Sequence, residues 1–358
     1  MSAPAPRGPR LRELGLRIGR FEAGPANAIT DVAGVTVGQV TVWRDEPEPP
    51  EGRGIARTGV TAVLPASQES LLRQPARAGA AVLNGAGEMT GFLEISEWSL
   101  LETPIYLTST HAVGRIYDGA VTAAIAADRT VGVDNVVIPV VAECDDSWLS
   151  DARVVQVEAE DAGRAVAAAG SGLVVEGAVG AGTGMMTKGY KAGIGTSSRV
   201  ALEPSATCGV LVLANYDPPP GLRMDGVPIG DLLGAPPRGR RRAGSCIVVV
   251  GTDVPLSGSE LSRLARRAGL GLARTGSVAH HGSGEIFVAF STAGQGEETL
   301  PGSALNDLFE AVVDATEEAV LNALWAAPEV AGREGRVAPA LPHDAVLELL
   351  DAHGRLTR

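Results

Sequence analysis

Short apolar runs bounded by turn residues alternate along the chain with longer stretches of helical spacing. Residues 59–65 (GVTAVLP), 103–108 (TPIYLT) and 135–142 (NVVIPVVA) are rich in β-branched side chains and predict strands. Residues 208–216 (CGVLVLANY), 245–253 (SCIVVVGTD) and 285–292 (EIFVAFST) predict three more. Helical spacing runs through residues 88–101, 112–127 and 157–169. Ser257 and Glu260 stand in the S-x-x-E spacing of a capping box, which opens a helix reaching about residue 273. Leu305, Leu308, Phe309, Val312, Val313, Val320 and Leu324 recur at helical spacing, and Pro328 ends that helix. A last short helix is predicted near residues 344–352. Strands and helices in alternation make a layered α/β protein.

Three segments break the pattern. Residues 1–20, rich in Arg and Pro, read as a loose arm. Residues 177–199 hold too much glycine for a regular helix and imply tight turns and close backbone approach. Residues 217–244, rich in Pro, Gly and Arg, read as a linker. No internal repeat is visible.

Composition narrows the function classes. The chain has 358 residues, 45% of them hydrophobic, which is ample for a substantial core. Its formal net charge of −12 disfavours duplex nucleic acid and anionic membrane surfaces as partners. Set against that charge, Arg238 to Arg242 read as a solvated linker end. Cys144, Cys208 and Cys246 are too scattered for a disulfide framework or a zinc site. No secretory signal and no long apolar span is visible, so a soluble cytoplasmic protein is expected.

Familiar motifs fail on spacing. Gly182 to Lys188 lacks the gap and the following Ser/Thr of a phosphate loop, and Gly85 to Gly91 is one residue too long for a dinucleotide fingerprint. His280 and His281 are adjacent, which is a loop feature, and no H-E-x-x-H or G-x-S-x-G occurs. The unusual position is Ser245, which follows Gly244 at the end of the linker and opens an apolar strand. Cleavage between them would give a serine carrying its own general base, because an α-amine titrates near pKa ~8. Glycine at 244 would tolerate a strained scissile bond. Read alone, the same residues also make an ordinary loop-to-strand junction.

The chain resembles the L-aminopeptidase/D-esterase and β-aminopeptidase family (DmpA/BapA type), self-processing N-terminal-nucleophile serine hydrolases. The resemblance is carried in collinear order by NAITDVAGVTVGQVTV (27–42), RTGVTAVLP (57–65), LNGAGEMTG (83–91), LTSTHAVG (107–114), PVVAECDDSWLSD (139–151), GAGTGMMTKGYKAGIGTSSR (180–199), GVLVLANYD (209–217) and GSCIVVVGTDVPL (244–256). It implies a four-layer α-β-β-α sandwich, cleaved between Gly244 and Ser245 into chains of residues 1–244 and 245–358 that stay in one domain. It implies Ser245 as nucleophile, supported by Ser283 and Glu285, with Asn215 at the oxyanion. It assigns Glu143 to the substrate's free amino group and Lys191 to the substrate site, with Ala192 where the family has glycine. Asp145 stands where some members carry an oxyanion tyrosine, and either weakens hydrolysis or adds a second anion for a more basic amine. No cofactor or metal is implied, the substrates are small peptides, amides or esters, and the assembly is a homotetramer. Hydrolysis of ω-amino-acid oligomers, acyl transfer and a silent binding role remain as alternatives on sequence alone.

Overall fold

The computed structural model describes residues 3–201, 206–216, 221–234, 244–294 and 302–357. In chain order the strands begin with β1 (Thr36–Asp45), β2 (Ile55–Leu64), β3 (Ala76–Gly85), β4 (Leu100–Leu101), β5 (Ile105–Ser109) and β6 (Val140–Cys144). They continue with β7 (Met186–Thr187), β8 (Tyr190–Lys191), β9 (Ile194–Ala201), β10 (Ala206–Asn215), β11 (Ser245–Thr252) and β12 (Gly284–Ser291). The helices are α1 (Gln68–Arg73), α2 (Phe92–Trp98), α3 (Val113–Ala127), α4 (Glu160–Ala167), α5 (Ile229–Leu232), α6 (Gly258–Arg274), α7 (Leu305–Ala326) and α8 (His343–Ala352).

Two sheets stack face to face. One has the order β1-β2-β5-β6 and the other β4-β3-β12-β11-β10-β9. Alternation along the strands fills three apolar layers. Between the sheets lie Ile105, Leu107, Leu211, Leu213, Ile247, Val249 and Val288. The opposite faces carry Val60, Tyr106 and Val141 against α3 and α4, and Val210, Val248 and Phe287 against α6 and α7. The result is the α-β-β-α sandwich. The capping box at the start of α6 is formed as the sequence predicts, Ser257 Oγ accepting from the Glu260 amide and the Glu260 carboxylate accepting from the Ser257 amide.

Several segments depart from expectation for local reasons. The helix predicted over residues 88–101 shrinks to α2, because Gly91 and Ser99 adopt left-handed φ of +72° and +58° at its ends. Leu100 and Leu101 then pair with β3 instead. The strand predicted from residue 135 starts only at Val140, and Val133 and Val136 stay exposed. The N-terminal arm is not loose: Leu11, Leu16 and Ile18 are buried, and the Trp325 indole donates to the Pro9 carbonyl at 2.8 Å. Within the expected linker, Leu222, Met224 and Val227 are buried in the core beside α5. The Arg238–Arg242 run lies outside the described residues.

Candidate active site

Ser245 opens β11 in the interior of the six-stranded sheet. Antiparallel pairing sets it opposite Asn215 of β10, and parallel pairing sets it level with Gly284 of β12. It shares a face with Ile247 and Val249, so its side chain points between the sheets. There its hydroxyl meets the Cys144 thiol, which burial pushes well up. The Gly244 carbonyl accepts a hydrogen bond from the Gly284 amide at 3.1 Å. Glycine at 244 serves space rather than backbone strain, since Gly244 is absent from the positive-φ residues. A Cβ there would stand 2.4 Å from the Asn215 carbonyl oxygen and 2.6 Å from the Tyr216 Cα.

Ser245 and Gly244 border a cleft of about 460 Å³, whose other wall carries Glu143 of β6 and Asp145 and Asp146 just after it. Glu143 is buried at the end of β6, with both oxygens held. The Thr110 hydroxyl donates to Oε2, and the Glu88 amide donates to Oε1 at 3.0 Å. Burial pushes its pKa above the usual carboxylate range, against the pull of those two hydrogen bonds. Asp145 is exposed, and its Oδ1 accepts from the Ser147 amide at 2.8 Å. Asp146 is buried, and desolvation pushes its pKa up to about 7. Glu88 and His111 also line the cleft, and no described Lys or Arg does.

The remaining sequence candidates stand behind this surface. Asn215 Oδ1 accepts from the Met186 amide at 2.9 Å, and Nδ2 donates to the Asp145 carbonyl at 2.8 Å. A primary amide has two N–H donors, so this bond uses one of them. Ser283 Oγ donates to Glu285 Oε1, and both residues are fully buried. Glu285 shares the helix-facing side of β12 with Phe287, and the pair flanks Gly284, which is level with Ser245. Lys191 does not line the cleft. Its ammonium donates to the carbonyls of Gly182, Met185 and Ala192 at 2.9, 2.8 and 2.6 Å.

Sequence reasoning missed the residues that hold these groups. Thr110 and the Glu88 amide orient Glu143, and Asn84 donates to the His280, His281 and Ser283 carbonyls, fixing the turn before β12. All three lie in segments quoted for the resemblance, but single polar residues at a strand end or in a connection leave no periodic signal. Among the described residues, no group of three or more His, Cys, Asp or Glu is placed to hold a metal ion. No helix among them is long and apolar enough to cross a membrane.

The model of peptidase family S58 matches residues 27–338. The β-peptidyl aminopeptidase BapA of Sphingosinicella microcystinivorans is 42% identical, across 99% of this chain and 95% of its own. The solved β-aminopeptidase of a Burkholderia species is 38% identical with a TM-score of 0.87, covering 96% of this chain and 99% of that one. The L-aminopeptidase D-Ala-esterase/amidase of Ochrobactrum anthropi, described as a serine aminopeptidase with a variant of the Ntn-hydrolase fold, is 37% identical with a TM-score of 0.88. That match covers 98% of this chain and all of that one. Likeness of this extent joins the sandwich, the cleft and the sequence into one assignment: the chain belongs to peptidase family S58 and has the Ntn-hydrolase fold of the serine aminopeptidases.

Proposed function

We propose that this protein is a self-processing serine aminopeptidase that removes the first residue of small peptides, amides or esters. In the first stage the Ser245 hydroxyl attacks the Gly244 carbonyl carbon. The Gly244–Ser245 C–N bond breaks as the amine takes a proton, leaving an ester. Water then hydrolyses the ester, giving a Gly244 carboxylate and a free Ser245 α-amine. In the second stage that amine takes the proton of its own hydroxyl, and Oγ attacks the carbonyl of the substrate's first residue. The leaving amine departs with a proton, and water resolves the acyl-enzyme.

The observation that carries this reading is the register. Ser245 is the first residue of a central strand, beside Asn215 and at the rim of the cleft that holds the buried Glu143. In this reading Glu143 accepts the substrate's ammonium, which selects free amino termini. The second Asn215 N–H donates to the oxyanion. Ser283 and Glu285, flanking the partner position of Ser245, take up the new α-ammonium and tune it as a base. Lys191 acts at a distance, holding the segment whose Met186 amide orients Asn215. The test is hydrolysis of paired p-nitroanilides with free and acetylated amino termini. Cleavage of the free form alone is expected; equal cleavage of both would remove Glu143 from the mechanism.

A further inference from the structure

The Gly244 carbonyl oxygen, where negative charge gathers when Ser245 attacks, already has a donor in the Gly284 amide at 3.1 Å. Parallel pairing of β11 with β12 sets Gly284 level with Ser245. The turn before Gly284 is closed by the Ser283 amide, which donates to the His280 carbonyl at 2.8 Å. One side chain from another strand reaches this turn. Asn84 Nδ2 donates to the His280 and His281 carbonyls at 3.0 and 3.3 Å, and to the Ser283 carbonyl. The Ser283 carbonyl and the Gly284 amide are the two ends of one planar peptide group. Asn84 therefore holds the oxygen end of the group whose hydrogen end meets the scissile carbonyl. A bulge brings it there: Ile286 pairs with Val82, but Glu285 pairs with Asn84, leaving Leu83 as the extra residue of β3. An unbroken ladder would set Leu83 opposite Glu285 and move Asn84 to the other face of the sheet.

We propose that Asn84 is a positioning residue for self-cleavage, fixing and polarising the 283–284 peptide group so that its N–H stabilises the oxyanion formed on Gly244. The proposal rests on the self-processing reading. In that step the Ser245 Oγ forms a bond to the Gly244 carbon, and the carbonyl π pair moves onto oxygen. As the pair returns, the C–N bond breaks and the Ser245 nitrogen takes the hydroxyl proton. A donor fixed beforehand at the oxygen stabilises the charged intermediate more than the neutral carbonyl. The Asn84 bond acts on it twice: it sets the tilt of the peptide plane, and hydrogen bonds in a chain strengthen one another. Gly284 itself is no probe, because a Cβ there would lie 2.5 Å from the Ala86 carbonyl oxygen.

The test follows full-length chain, made in a short cell-free pulse, on a denaturing gel during the chase. Asn84→Asp keeps the size of the side chain and removes both donors. It is expected to slow self-cleavage about 10- to 100-fold, less than the outright loss of an oxyanion donor. Asn84→Gln, which keeps the amide on one more methylene, should recover part of the rate. Asn84 lies outside the lining of the cleft, so hydrolysis of a free-amine p-nitroanilide by each fully cut variant should fall by less than self-cleavage does. Self-cleavage of the aspartate variant at the natural rate overturns the proposal, as does a glutamine variant slower than the aspartate one. An equal fall in both rates, which general loosening of the site would give, overturns it too. Circular dichroism checks folding, and Asn84→Ala takes the place of an aspartate variant that does not fold. If neither folds, Asn84 supports the whole fold rather than one peptide group, and the proposal fails. A natural protein that never cuts itself removes the self-processing reading and this proposal together, whereas variants that cut as fast as a self-cutting natural protein remove the proposal alone.

Discussion

The carboxylate of Glu143 is held by Thr110 and the Glu88 amide, two contacts that a glutamine side chain can partly keep. Glu143→Gln is therefore expected to fold and to lose mainly the attraction for an ammonium. Losing one charge-assisted contact costs about 1.5–3 kcal/mol, so KM for free-amine substrates should rise roughly 10- to 100-fold. The pH profile adds a signed test. Burial raises the Glu143 pKa, and only the ionised form accepts the ammonium. Activity should therefore fall on acidification at a pH above the ordinary glutamate value near ~4.3, and the glutamine variant should lack that limb. Gly244 makes a different prediction, because a Cβ there meets the Asn215 carbonyl oxygen at 2.4 Å. Gly244→Ala should leave more uncut chain at any given time, read on a denaturing gel. The sequence made Ser245 visible, as a serine opening an apolar strand after a Pro/Gly-rich run. It hid the reason for Gly244, because close approach to β10 exists only once the sheet has formed.

Among elements, the glycine-rich segment does the most positioning for its length. Lys191 ties Gly182, Met185 and Ala192 together, and Met186 then presents its amide to Asn215. Lys191→Met removes the ammonium and strands three carbonyls, and a loss of about 3 kcal/mol in denaturant unfolding is expected. Because Lys191 lies outside the cleft, kcat should fall more than KM rises. Part of this element was unreadable in advance. Residues 194–201 form β9 although they lack a β-branched run, because α7 packs directly on them. A Cβ at Gly195 would lie 1.9 Å from the Ala319 carbonyl oxygen, so small residues are required where the strand passes under the helix. Helix α7 was plain from its apolar spacing, and α6 from its capping box. The helix expected over residues 88–101 failed because Gly91 and Ser99 turn the chain left-handed, which spacing does not reveal.

At the scale of the whole molecule, β11 sits between β10 and β12, so the residues after the Gly244–Ser245 bond are built into the sheet made by those before it. Cutting the bond would leave both pieces hydrogen-bonded along the full strand. The layered class was legible from the alternation of strands and helices, and the four-layer order came from the family resemblance. The pairing of strands distant in sequence was not legible, because local pattern carries no record of partner choice. The fourfold assembly implied by the resemblance is an expectation of the same kind. An apolar hollow lined by Val82, Phe92, Leu93, Ile138 and Ile286, with Leu93 80% exposed, is a face that such an assembly would cover. Light scattering should give four chains, and Leu93→Asp should shift the mass downward if this face is an interface.

The central claim is that Ser245 first cuts its own chain and then serves as the nucleophile, and intact mass measurement addresses the first half without any substrate. Freshly purified natural protein, incubated to completion, should resolve into residues 1–244 and 245–358, sharing the 36.6 kDa by length as about 25 and about 12 kDa. The smaller chain should begin Ser-Cys-Ile. Ser245→Ala, prepared identically, should remain one folded chain of full mass and hydrolyse no p-nitroanilide. A natural protein that stays at full mass while hydrolysing free-amine substrates, or an alanine variant that cuts itself at the same bond, would contradict the account.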